Sequence, residues 1–230
     1  MMLTLVRHGE PERNVGESER ADPPLSRTGW AQMTGARRLV EVDGCDALFC
    51  SPLRRARESA EVLLPGCCPV IDDDLAEFDR DTQRYVHWED GVDPYRAYLA
   101  GDLSPWGTTL DEFRGRIRAA VERMRVAGVE HAVAVTHGGV INNFLAMVLG
   151  LSRTSVFRPG YGSVNRFRYL PGWGWVTVEL NAIGARISTF QELSDRVVVV
   201  GTAGRRRSAT WNSPSSGTPS ATGGRAMTLG

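Results

Sequence analysis

At 230 residues, with 42% hydrophobic side chains, the chain is long enough for one α/β domain with a sizeable core. Equal numbers of acidic and basic residues, 27 each, leave no net field to attract nucleic acid or an anionic membrane, and no apolar stretch reaches the roughly 20 residues that span a bilayer. Every basic side chain is an arginine, because the sequence holds no lysine, so any affinity for anions must be local and built from guanidinium groups.

The first strand is read from Leu3, Thr4, Leu5 and Val6, and it runs directly into Arg7, His8, Gly9 and Glu10. Open α/β sheets bind ligands beyond the carboxyl ends of their strands, which is where this histidine emerges. An ordinary imidazole pKa near ~6.5 leaves a large neutral fraction able to act as a nucleophile; a strand-end cap is the alternative for a lone histidine. Gly9 is expected to let the backbone turn sharply and approach a ligand. A helix enters through Leu25 and continues toward Val40, with Ser26 as its N-cap. The next strand, around Ala47 to Cys50, runs into Ser51 and Pro52, which read as N-cap and first residue of a helix reaching about Leu64. A short strand at Val70 and Ile71 leads into the acidic segment from Asp72 to Glu77. Residues 78–107 show weak periodicity and many turn formers, the pattern of a variable lid or cap.

A well-patterned helix is predicted over Leu110 to Val126, with Phe113, Ile117, Val121 and Met124 sharing one core-facing stripe. A buried strand over Ala132 to Val135 ends at Thr136, His137, Gly138 and Gly139, and a helix from Val140 to Leu149 stands behind it. Two further strands, Ser163 to Leu170 and Trp173 to Leu180, form a hairpin turning at Pro171 and Gly172. Strands alternating with helices predict a three-layer α/β/α sandwich around a mostly parallel sheet, within a domain over residues 1–200. From 201 to 230 the composition turns to Gly, Ser, Thr, Pro and Arg, which predicts a disordered tail. Cys45, Cys50, Cys67 and Cys68 show no CxxC spacing and follow no signal-peptide segment, so a cytoplasmic protein with reduced thiols is expected. Oligomeric state is not written in these patterns.

Three strand ends thus present cationic or cation-capable groups: Arg7 with His8, Arg55 after Ser51, and His137. Helix N-termini add amide donors and partial positive charge, and together these groups describe a pocket for a phosphoryl group. A nucleophilic imidazole facing a phosphate held by two arginines and a second histidine is suited to becoming a phosphohistidine. Fixed cations would neutralise the transferring oxygens, so neither metal nor organic cofactor is expected. A zinc site would need a third ligand at suitable spacing, and the neighbouring arginines would repel the ion.

The strings LVRHGEPERN, LSRTG, SPLRRARESA, DLAEF and VTHGGVIN resemble, in this order, the signatures of the histidine phosphatase superfamily, the phosphoglycerate-mutase-like group, over about Met1 to Leu180. The resemblance implies a phosphoglycerate-mutase-like fold, His8 as the phosphorylated nucleophile, and Arg7, Asn14, Arg55, His137 and Gly138 as contacts to the phosphate. Glu77 matches the proton donor to the leaving oxygen, a role that burial would support by raising its pKa, with Asp79, Asp81 and Glu10 as competing acids. Pro11 stands where many members carry Thr or Ser, the G-x-W-E-G continuation after the acid is absent, and Gly107, Thr108 and Thr109 replace a common G-E-S. The longer mutase signatures are missing as well. The implied activity is therefore hydrolysis of a small phosphomonoester, with a phosphoglycerate mutase and a non-catalytic phospho-ligand binding protein as alternatives.

Overall fold

The computed structural model describes residues 1–13, 22–41, 43–82 and 95–184. Asn14, the middle of the expected lid and the expected tail over 201–230 lie outside the described residues. The strands are β1 (Met2–Arg7), β2 (Ala47–Cys50), β3 (Val70–Ile71), β4 (His131–Thr136), β5 (Val164–Leu170) and β6 (Gly174–Ala182). The helices are α1 (Arg27–Glu41), α2 (Arg54–Leu63), α3 (Arg96–Ala100), α4 (Leu110–Val126) and α5 (Gly138–Val148).

One sheet runs in the order β3-β2-β4-β1-β5-β6. The first four strands are parallel, while β5 pairs antiparallel with β1 and β6 antiparallel with β5. Alternation along the central strands divides the core between the two faces. Leu3, Leu5, Ala132 and Ala134 join Phe113, Ile117, Val121 and Met124 of α4 and Ile141 and Leu145 of α5. Val6, Val133 and Val135 join Met33, Ala36 and Val40 of α1 and Ala56, Ala60 and Leu63 of α2. Helices therefore cover both faces, as the sequence predicts. The consequence for function is positional. Neighbouring strands β1 and β4 send their following helices, α1 and α5, to opposite faces, which opens a crevice at their carboxyl ends.

Local chemistry explains most boundaries. Ser26 Oγ accepts from Gly29 N–H at 3.0 Å, the predicted N-cap of α1. Helix α4 opens on a full capping box between Thr109 and Glu112. Its far end anchors the acidic segment, because Arg123 donates to both carboxylate oxygens of Asp72, at 2.7 and 3.1 Å, and to Asp74 at 2.6 Å.

One expectation is corrected. Ser51 is not the N-cap of α2: the chain stays extended at Leu53 (φ −68°, ψ 140°) and the helix begins at Arg54. An aspartate far away in sequence does the capping instead, with Asp22 Oδ1 accepting from Arg54 N–H at 2.8 Å. Gly9 makes room for the backbone of α1, since a Cβ there would come within 2.5 Å of Gly29 O. Tyr98 and Leu103 are buried in the core, and the Tyr98 ring stacks on Phe78 with centroids 4.6 Å apart. Among the described residues no helix is long and apolar enough to cross a membrane.

Candidate active site

Backbone hydrogen bonds hold the nucleophile candidate in place before any side chain contributes. His8 N–H donates to Thr136 O at 2.9 Å, and Gly162 N–H donates to both Arg7 O and His8 O, at 3.1 and 3.2 Å. The loop before β5 thereby clasps the end of β1. The His8 ring is buried, and its Nδ1 lies 2.7 Å from Gly9 O. A carbonyl only accepts, so this contact requires the proton on Nδ1 and makes Nε2 the basic nitrogen of a neutral ring.

Cations surround it. Arg7, buried beside it, donates from Nη1 to Pro159 O at 2.6 Å, and its guanidinium carbon stands 3.7 Å from the centroid of the Tyr161 ring. Its Nε is buried with no hydrogen-bond partner among the described residues. Arg55 comes from the first turn of α2 and is 1% exposed. Asp22 and Asp79 hold its fork from two sides, at 3.5 and 3.6 Å. These separations neutralise the guanidinium without closing a tight bidentate pair.

His137 ends β4 and its ring centroid is 5.0 Å from that of His8. It is completely buried, and Nε2 bonds Ser51 Oγ at 2.7 Å while Nδ1 has no partner among the described residues. Burial first, and then Arg55, His8 and Arg7, push its pKa well below the usual histidine value. Gly138, the first residue of α5, lies against Arg7: a Cβ there would stand 3.5 Å from Nε and fill the space beside that unpartnered nitrogen.

Glu77 approaches from the loop that follows β3. Its Oε2 accepts from Gly139 N–H at 2.8 Å and its Oε1 from Phe78 N–H at 3.2 Å. Only a glycine permits this, since a Cβ on residue 139 would be 2.2 Å from Oε1. Burial, reinforced by the nearby Asp79 carboxylate, raises the Glu77 pKa from 4.5 to about 7 against the two amide bonds and Arg55, so much of it is protonated at neutral pH. Asp79, also raised by burial, is held down by Arg55.

A cleft is lined by Arg7, His8, Arg55, Glu77, Asp79 and Gly138, together with Tyr95, Tyr98, Asn142 and Phe157. The sequence-predicted residues His8, Arg7, Arg55, Glu77 and Gly138 meet there, with His137 buried beside His8; Asn14 lies outside the described residues. Of the competing acids, Asp79 joins the cleft, whereas Asp81 is two-thirds exposed and paired with Arg80. Sequence reasoning missed Asp22, Ser51, Tyr161 and Pro159. A signal existed for Ser51, since it follows a strand end as His137 does, but seeing it requires the β2 to β4 register, in which Cys50 sits opposite Val135.

A family model described as Histidine phosphatase superfamily (branch 1) matches residues 3–183. Among curated proteins, an adenosylcobalamin/alpha-ribazole phosphatase of Salmonella typhi is 26% identical over 213 residues, covering 86% of this chain and 98% of the relative. A probable phosphoglycerate mutase of Photorhabdus laumondii is 28% identical over 166 residues, covering 66% and 76%. Among solved structures, a phosphoserine phosphatase from Entamoeba histolytica in complex with 3-phosphoglyceric acid superposes with a TM-score of 0.64 at 21% identity, covering 79% of this chain and 96% of that one. At that identity the likeness speaks for the fold.

Proposed function

Since this chain belongs to the histidine phosphatase superfamily (branch 1), we propose that it hydrolyses a small phosphomonoester by passing the phosphoryl group to His8 and then to water. The observation that carries this reading is the His8 Nδ1 to Gly9 O contact at 2.7 Å, which assigns the lone pair to Nε2 in a cleft shared with a protonatable Glu77.

In the first step Nε2 attacks phosphorus in line and the bond from phosphorus to the leaving oxygen breaks. Charge on the three remaining phosphoryl oxygens is met by Arg7, Arg55, His137 and the amides at the start of α5, beginning with Gly138. Asn14 is proposed as a further polar contact to the same group. Glu77 gives its proton to the departing alkoxide, which needs it because an alkoxide is a poor leaving group. In the second step the same carboxylate, now ionised, accepts a proton from the water that attacks phosphorus. The P–N bond breaks and His8 is restored with phosphate released.

These two half-reactions call for neither a metal nor an organic cofactor. The substrate is read as a small phosphorylated metabolite, in keeping with the alpha-ribazole phosphatase and phosphoserine phosphatase that the chain is similar to. The exposed, unpaired thiols of Cys67 and Cys68 fit a reducing compartment such as the cytoplasm.

Phosphate release from p-nitrophenyl phosphate and from a panel of phosphorylated metabolites tests this directly. His8→Ala is expected to lose at least about 10³-fold in kcat, and acid quenching of the parent protein should trap an acid-labile phosphohistidine. Undiminished turnover in that variant would end the reading. A second reading, phosphoglycerate mutase, is favoured by the Photorhabdus laumondii relative. It requires isomerisation of 3-phosphoglycerate to outpace its hydrolysis.

A further inference from the structure

Ser51 and His137 pose a question of proton placement that the family assignment leaves open. Both are fully buried, and they directly follow strands β2 and β4, which pair in parallel with Cys50 opposite Val135. A hydroxyl has one proton to donate and two lone pairs, whereas a neutral imidazole has one proton shared between two nitrogens. Ser51 Oγ already accepts from Leu53 N–H at 3.3 Å, and its 2.7 Å contact with His137 Nε2 can run in either direction.

The two directions are not equivalent. With the proton on Nε2, the ring donates to Ser51; the serine hydroxyl proton is then left without an acceptor among the described residues, and Nδ1 becomes an unpartnered buried lone pair. With the proton on Nδ1, the serine hydroxyl donates to Nε2 and keeps its remaining lone pairs for Leu53 N–H. One buried group, Nδ1–H, then remains unsatisfied, and a bound anion would satisfy it. Leaving a buried polar group unmet is costly, so the first direction carries two such penalties and the second one, removable on binding. The doubly protonated ring is disfavoured by the groups that face it, Arg55, His8 and Arg7, and by burial.

We propose that Ser51 is a positioning residue that donates its hydroxyl proton to His137 Nε2 and so fixes His137 as the Nδ1–H tautomer, making it a hydrogen-bond donor to the phosphoryl group. The histidine then contributes direction rather than charge, and the cationic character of the pocket comes from Arg7 and Arg55. The inference rests on the phosphoryl-transfer reading for what Nδ1–H addresses, but the tautomer itself is measurable without turnover.

The test is long-range ¹⁵N–¹H correlation spectroscopy on the full-length, histidine-labelled protein at neutral pH, with signals assigned through single histidine-to-glutamine variants, and titration with inorganic phosphate. A protonated Nδ1 and a lone-pair Nε2 on His137 are expected, with the Nδ1–H resonance moving when phosphate binds. Ser51→Ala should return His137 to a mixture of tautomers and weaken inorganic phosphate binding roughly tenfold, the worth of one charge-assisted hydrogen bond. A protonated Nε2, a doubly protonated ring, or an unchanged tautomer in Ser51→Ala would each overturn the inference. The spectrum of the parent protein decides even if the variant does not fold. The expected tautomer together with no turnover of any phosphoester would instead remove the phosphatase reading and leave the proton assignment standing.

Discussion

The two sides of the cleft are built differently. His8, Arg7 and His137 stand on the carboxyl ends of β1 and β4, strands whose residues are almost entirely buried and whose register is fixed along their full length. Glu77 stands on an irregular segment after the two-residue strand β3, tethered by two amide bonds and, through Asp72 and Asp74, by Arg123 of α4. The side proposed to face phosphate is therefore determined by sheet geometry, while the side that carries the proposed acid depends on a few local contacts. In such an arrangement phosphate binding tolerates little change, and leaving-group chemistry can be tuned residue by residue.

The largest expected effect falls at Arg55 of α2, proposed to hold the phosphoryl group with the strand-end residues. Arg55→Ala removes a buried guanidinium that two carboxylates hold in place, and kcat/KM should fall about 10²–10³-fold for every substrate, whatever the leaving group. A loss confined to alkyl phosphates would contradict the division between the two sides. Next comes Gly139→Ala, which puts a methyl where the Glu77 carboxylate must lie. Hydrolysis of alkyl phosphates should drop about 10²-fold, whereas p-nitrophenyl phosphate, whose phenolate leaves without a proton, should be affected several-fold at most. Parallel assays with both substrates separate a displaced acid from a collapsed pocket, since collapse would slow them equally.

Asp79→Asn should give the smallest change, best seen as a displacement of the pH profile. In the proposed role Glu77 donates only when protonated, so alkyl phosphate hydrolysis is expected to fall as pH rises through its pKa of about 7. The Asp79 charge helps hold that proton on, and its removal moves the falling limb toward lower pH. A limb that stays in place would show that burial acts without Asp79. Stability follows the same sign: a carboxyl group raised from 4.5 to about 7 on folding favours the folded state most at pH below 4.5, and that contribution is lost as pH rises through about 7.

Much of this was legible in the chain because it follows from local pattern. Helix α4 occupies Leu110–Val126, as its apolar stripe predicts, and strand β2 spans Ala47–Cys50, as the run before Ser51 predicts. The functional side chains stood out as charged or cation-capable groups placed directly after apolar runs. What escaped depends on contacts across the sheet. Ser51 followed by Pro52 has the local signature of a helix start, and nothing nearby in sequence reveals that a histidine 86 residues away takes its hydroxyl. Asp22, which caps α2 and steadies Arg55, is likewise brought in by the path of a loop.

The position of β1 also fixes when the protein can begin to work. This strand is made well before its neighbours β4 and β5, with Leu3 paired to Ala132 on one side and Phe167 on the other. At roughly 5–20 residues per second, its hydrogen-bonding edges wait on the order of ten seconds for their partners. The clasp by Gly162 on Arg7 O and His8 O comes later still than β4. A nascent chain thus carries His8 without these partners until the segment that contains Gly162 has been made.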